Sequence, residues 1–134
     1  SSTSRGLGDV YKRQPMSKSL TQQKAQAFAL RIVRMCEVLR TRGVAFSLFD
    51  QVRRSGTSIF ANLCEARQAE SRLDFLHKHM IALKEVEETE GWLDILHASG
   101  SLTSAEYNSI HADCHELLRL LIAITRTLKN SLAK

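Results

Sequence analysis

Apolar side chains recur along this chain at alternating steps of three and four residues, in four separate runs. That period keeps one face of an α-helix apolar and does not match the strict alternation of a half-buried strand. The first run places Phe28, Ile32, Met35 and Leu39 on one stripe, and the second Val52, Gly56, Ile59, Leu63 and Ala66. The third carries Phe75, Ala82, Val86, Leu93 and Leu96. The fourth is the most regular, with Tyr107, Ile110, Cys114, Leu117, Leu121, Ile124 and Leu128. Such steps define the seam of a helix bundle. Gly56 stands out, because a mid-helix glycine costs about 1 kcal/mol against alanine. A close approach of a neighbouring helix would offset that.

Start and stop signals agree with the stripes. Capping-box spacings occur at Ser19–Gln22, Ser47–Asp50, Ser71–Asp74 and Thr103–Glu106. In each, the hydroxyl can accept from the backbone amide three residues on, while the side chain there reaches back. Leu102 and Tyr107 are placed to staple the last helix entry. Stops are expected at Gly43, near Ala69-Glu70, and at Gly100. The predicted helices span about 20–42, 48–68, 72–98 and 104–131. Short connections make consecutive helices antiparallel neighbours. The expected fold is therefore all-α, an antiparallel up-and-down four-helix bundle over residues 16–134. Residues 1–15 are patternless, and Met16 stands where a natural start would be. They are expected to be a disordered non-native leader or assembly scar.

Beside the apolar stripe of the second run lies a polar one: Arg54, Ser55, Ser58, Asn62 and Glu65. In the third run Glu85 and Glu88 fall in register with Ile81, Trp92 and Ile95. Carboxylates on a partly apolar face need partners, since desolvating an unpaired charge costs several kcal/mol. Arg54 is the expected partner, with Asn62 supplying amide donors. The stripe reads first as an interhelical network that sets helix pairing and register, and second as part of an oligomer interface. A further apolar line through Leu76, Met80 and Leu83, with Leu118 and Ile122, exceeds what one core is expected to absorb.

Charge is uneven. Residues 21–72 carry a net +5 and residues 73–134 a net −3. A basic half suits phosphate binding, and equally suits packing against the acidic half of another subunit. Candidate phosphate contacts are Arg31, Arg34, Arg40 and Arg42 in the first helix and Arg53, Arg67 and Arg72 in or near the second. No aromatic interleaves them, so binding would be led by the nucleic-acid backbone.

Catalytic and metal constellations are not expected. His111 and His115 are one turn apart, but the di-iron bundle motif Glu-x-x-His is absent. The histidines, which also include His77, His79 and His97, are expected to be solvated beside the seam. Cys36, Cys64 and Cys114 form no Cys-x-x-Cys pair and read as small apolar fillers, with a reducing, cytoplasmic setting as the default. Glycine-rich phosphate loops and nucleophile elbows are missing too. No run approaches the roughly 20 apolar residues of a membrane span. No cofactor is implied.

The segment from Arg53 to Ala66, R-R-S-G-T-S-I-F-A-N-L-C-E-A, is fairly specific. Together with Ile81 to Thr89, I-A-L-K-E-V-E-E-T, and the following Trp92-Leu93, it resembles the 23S rRNA intervening-sequence family, often called four-helix bundle proteins. The resemblance covers about residues 20–130 and extends to the accessory variability determinant of diversity-generating retroelements. It implies a homopentameric ring with a basic surface, binding to nucleic acid, RNA foremost, and contact with a reverse transcriptase. Arg54, Ser55, Ser58, Asn62, Glu65, Glu85 and Glu88 carry over as family-defining rather than catalytic positions. Phe60 stands where a small residue is usual and Gly91 where an aromatic is usual. Phe60 fills the space left by Gly91 if the two face each other. The function expected is thus a non-enzymatic nucleic-acid-binding accessory protein. The alternative is a scaffold for a reverse transcriptase or ribosomal partner.

Overall fold

A computed structural model describes residues 19–134 of the chain. The expected leader, residues 1–15, lies outside them. Among the described residues there are four helices and no strand: α1 (Leu20–Thr41), α2 (Phe46–Ala66), α3 (Arg72–Ala98) and α4 (Ser104–Ala133). Each packs against the next, and α4 closes back on α1, where the packing is thinnest. Cross-helix contacts give the direction. Gln22 at the start of α1 meets Cys64 at the end of α2, and Arg42 just past α1 meets Glu106 at the start of α4. The bundle is antiparallel and up-and-down.

The caps explain most of the boundaries. Ser19 accepts from the Gln22 amide, Ser71 from the Asp74 amide, and Thr103 with Glu106 closes a full reciprocal box. The spacing at Ser47–Asp50 does not cap. α2 begins at Phe46 behind Ala45, with no side-chain cap. Asp50 is instead taken by Arg53 one turn on, so its carboxylate is spent inside the helix. Gly43 and Gly100 end α1 and α3 at φ of 76° and 82°, a region where a Cβ is disfavoured.

The core is built from the predicted stripes. Phe28, Ile32, Leu39, Val52, Ile59, Val86, Leu93, Leu96, Leu117 and Leu121 are all but inaccessible. Burying a side chain of this size contributes about 1.5–3 kcal/mol. Gly56 does permit a close approach. A Cβ built there would lie 2.9 Å from Cγ1 of Ile32 on α1.

Some positions differ from the sequence pattern. At the start of α3, Leu76 and His79 are buried, while Phe75 is only half-buried and rests on the His79 ring. Leu76 therefore belongs to the core rather than to a surplus line. Met80, Leu83 and Leu118 are half-buried, and Ile122 is exposed. Near the end of α4, Thr125 is buried while Ile124 and Leu128 are half-buried. A straight helix of 3.6 residues per turn drifts off a strict heptad. Gly91 faces open space, with nothing within 4 Å of a Cβ placed on it. Phe60, packed against the core, does not fill that space. Among the described residues, no helix is long and apolar enough to cross a membrane.

Candidate nucleic-acid interface

The arginines singled out in the sequence do not form one patch. Arg31, Arg34 and Arg42 line a groove of about 520 Å³ between α1 and α4. Its floor is apolar, formed by Met35, Val38, Leu39, Leu102, Ala105 and Ile110. The groove exists because α1 and α4 are the least closely packed neighbours. Arg40 is exposed on α1 outside this groove. Arg53 sits near the start of α2, in an ion pair with Asp50. Arg67 caps the far end of α2, and Arg72 reaches Ser131 on α4.

Two of the groove arginines are held inside the bundle. Arg42 makes a two-pronged contact with Glu106, at 2.9 and 2.6 Å, and donates to the Ser101 carbonyl. Arg31 donates to Asp113 at 2.6 Å and to both the carbonyl and the hydroxyl of Ser109. Lys24 continues the row onto Glu116. Arg34 is exposed and makes no ion pair or hydrogen bond among the described residues. The basic first half of the chain thus meets the acidic second half within one molecule.

Arg42 and the Thr103 backbone hold the Glu106 carboxyl far below its ordinary value of 4.5, at about 2. The sign follows. A carboxylate with a depressed folded pKa adds stability that is present above 4.5 and is lost as pH falls through about 2. An NMR titration of Glu106 is expected to show its midpoint near 2, moving back toward 4.5 in an Arg42→Gln variant. A wild-type midpoint at the ordinary value would contradict the pairing.

The polar stripe of α2 and α3 assembles largely as expected. Arg54 contacts Glu88 directly and lies 3.9 Å from Glu85. Trp92 donates its indole N–H to Glu88 at 3.1 Å. Asn62, by contrast, donates to the Ser58 carbonyl of its own helix, and Ser58 to the Arg54 carbonyl. Asn62 therefore serves no carboxylate, because a shorter reach satisfies it first. Glu65 pairs with Lys78 at 2.7 Å. Ser55 is wholly buried and shares a 2.9 Å hydrogen bond with the buried Thr89. One oxygen of Glu85 is buried without a hydrogen-bond partner among the described residues. Desolvation, with Glu88 beside it, raises the Glu85 pKa against the opposing pull of Arg54.

Sequence reasoning missed Lys78, Thr89 and the α4 carboxylates as partners. The signal for the first two was present. Reflected about the turn midway between residues 71 and 72, position 65 falls opposite 78, and 54 and 55 each fall within one residue of their partners 88 and 89.

The histidines are not simply solvated. His79 is buried, its Nδ1 2.9 Å from the Phe75 carbonyl, and burial pushes its pKa down. His97, Tyr107, His111 and His115 stack in a column with centroids 4.4, 5.0 and 5.5 Å apart. Asp94 accepts from the Tyr107 hydroxyl, which pushes that phenol up to about 12. Glu90 lies 2.8 Å from His111. Among the described residues no three His, Cys, Asp or Glu side chains gather as metal ligands would. Burial pushes the Cys36 thiol up to about 11 and the Cys114 thiol up to about 12. Neither offers a thiolate at neutral pH.

Comparison with known proteins adds a family. The profile of the 23S rRNA-intervening sequence protein family matches residues 18–123. A solved structure from Bacteroides thetaiotaomicron VPI-5482, a protein of unknown function from the S23 ribosomal protein family, is 44% identical to this chain. The alignment covers 79% of this chain and 98% of that one, with a TM-score of 0.77. No curated protein matches. The bundle, its α2–α3 polar stripe and a profile match over most of the chain agree, and the chain belongs to the 23S rRNA-intervening sequence protein family.

Proposed function

We propose that this protein is a non-enzymatic nucleic-acid-binding accessory protein, acting on RNA as a homo-oligomer. The observation that carries this reading is the row of Arg31, Arg34 and Arg42 along one groove, with Arg34 exposed and, among the described residues, unpaired. The family's name ties it to an intervening sequence of 23S rRNA, and that of the solved relative to ribosomal proteins. One groove with one arginine unpaired among the described residues binds phosphate weakly. Repetition of the groove around a ring of subunits would add avidity without any new contact. The α2–α3 face supports self-assembly. It carries half-buried Trp92 and exposed Ile95 near the Arg54–Glu88 pair. A second copy covering that face would hide the apolar surface. A pentamer is the ring size the family resemblance implies.

A specific observation favours a second reading, a scaffold for a protein partner such as a reverse transcriptase or a ribosomal component. Arg31, Arg42 and Arg53 are already neutralised by Asp113, Glu106 and Asp50, which leaves fewer cations for phosphate. Gel-shift titrations with RNA at increasing salt, alongside solution mass by light scattering, separate the two. The nucleic-acid reading expects log affinity to fall linearly with log salt, and Arg34→Glu to flatten that slope by about one per engaged subunit. No binding at low salt would sink it, and a strict monomer would remove the avidity.

A further inference from the structure

The groove between α1 and α4 has two features that a pure phosphate contact does not need. Its floor is made of six aliphatic or methyl-bearing side chains, Met35, Val38, Leu39, Leu102, Ala105 and Ile110. Its two outer arginines are pinned to neighbours inside the bundle. A guanidinium carries five N–H donors, and Arg31 spends three of them on Ser109 and Asp113. Arg42 spends three on Ser101 and Glu106. Beside the two donors each keeps, a pinned arginine offers its flat face, and a flat cationic face stacks on an aromatic ring. Arg34, unpaired among the described residues, has all five donors for a phosphate oxygen.

A duplex offers the groove phosphate and sugar, and keeps its base faces stacked away inside. An unpaired nucleotide offers all three complements at once: a phosphate for Arg34, a π-face for Arg31 or Arg42, and an apolar ring for the floor. An acidic helix from a protein would fill the floor equally well. Its carboxylates, however, would meet Asp113 and Glu106, which already neutralise Arg31 and Arg42. We infer that the α1–α4 groove takes an unpaired base, so that the ligand is single-stranded RNA or a loop rather than a duplex. This rests on the nucleic-acid reading above and narrows it.

Fluorescence anisotropy tests it with the full chain, a labelled unstructured RNA, and the duplex made by annealing its complement at the same salt. The single strand is expected to bind about tenfold more tightly, near the lower end of what one stacked base contributes. Val38 is 44% exposed, so Val38→Asp charges the groove without disturbing the core. It is expected to erase the preference. Leu30 and Val38 each lie one turn from Arg34, so an aspartate at either weakens the two RNAs alike through that charge, and the ratio of the two affinities is the readout. Leu30, 49% exposed on the same helix but outside the groove, provides the control Leu30→Asp, which keeps the preference. Arg42→Lys retains the charge and loses the flat face, and should narrow the preference. Arg34→Glu should weaken both RNAs. Equal affinity for the two RNAs, or a Val38→Asp variant that keeps the preference, overturns the inference and leaves the nucleic-acid reading standing. So does an acidic amphipathic peptide that binds the groove without displacing the single strand. Failure of both RNAs to bind overturns both readings.

Discussion

Replacing Gly56 by alanine is expected to destabilise the bundle by about 1–2 kcal/mol, although alanine is the better helix former. Two effects oppose each other. The helix gains about 1 kcal/mol in propensity. Against it, the new methyl lies 2.9 Å from Cγ1 and 3.1 Å from Cγ2 of Ile32. Ile32 is wholly buried and β-branched, so its χ1 has little freedom to yield. Either α1 and α2 separate or Ile32 leaves its rotamer, and overpacking of this kind typically costs about 1–3 kcal/mol or somewhat more. Gly56→Leu should cost more than about 3 kcal/mol. Gly91→Ala provides the contrast. It is also mid-helix, but its Cβ would meet nothing within 4 Å. That variant should gain about 0.5–1 kcal/mol. Urea denaturation of the two alanine variants is the measurement. Two shifts of the same sign would refute the close approach as the reason for Gly56. Pairing Gly56→Ala with Ile32→Val should recover part of the loss, because the crowding atoms belong to Ile32.

Thr89→Val is expected to cost about 1–3 kcal/mol, and adding Ser55→Ala should return much of it. The two hydroxyls are wholly buried and meet at 2.9 Å between α2 and α3. Thr89 also lies 2.7 Å from the Glu85 carbonyl of its own helix. Removing one hydroxyl leaves the other buried with its cross-helix partner gone. Removing both takes away donor and acceptor together, which is close to neutral when shape is kept. A double-mutant cycle by urea denaturation reads the coupling. Simple additivity of the two single losses would show that the hydrogen bond contributes nothing to the pairing of the helices.

Ser55 shows how far a sequence pattern reaches. Its spacing places it on the polar stripe with Arg54 and Ser58, and its small polar side chain suggests a network. Both inferences hold, but the side chain lies inside the bundle rather than on the surface. Periodicity gives an azimuth on the helix, and burial depends on how closely the neighbour approaches. Gly56 brings that neighbour in. The arginine row is a stronger case. Arg31, Arg34, Arg40 and Arg42 are close in sequence, yet Arg40 lies outside the groove the other three share. A run along a helix winds around it, so nearness in sequence is not nearness on one face. The groove floor draws Met35, Leu39 and Ile110 from two of the expected stripes and Val38, Leu102 and Ala105 from outside them.

By itself the sequence determined the four helices, most of their caps, the close approach at Gly56 and the Arg54–Glu88 pairing. These are local or hairpin-range properties. They follow from a period of 3.6, from the few residue types that satisfy helix-end amides, and from reflection about a short turn. Only the tertiary structure decided what becomes of the charge asymmetry. The basic α1 lies against the acidic α4, and Lys24, Arg31 and Arg42 spend their charge on Glu116, Asp113 and Glu106. Those partners are too far along the chain for any local pattern to place them. An ion pair depends on distances of a few ångströms, and closure of α4 onto α1 sets those distances. The same closure, looser than the other three helix contacts, leaves the groove open with Arg34 at its edge, unpaired among the described residues.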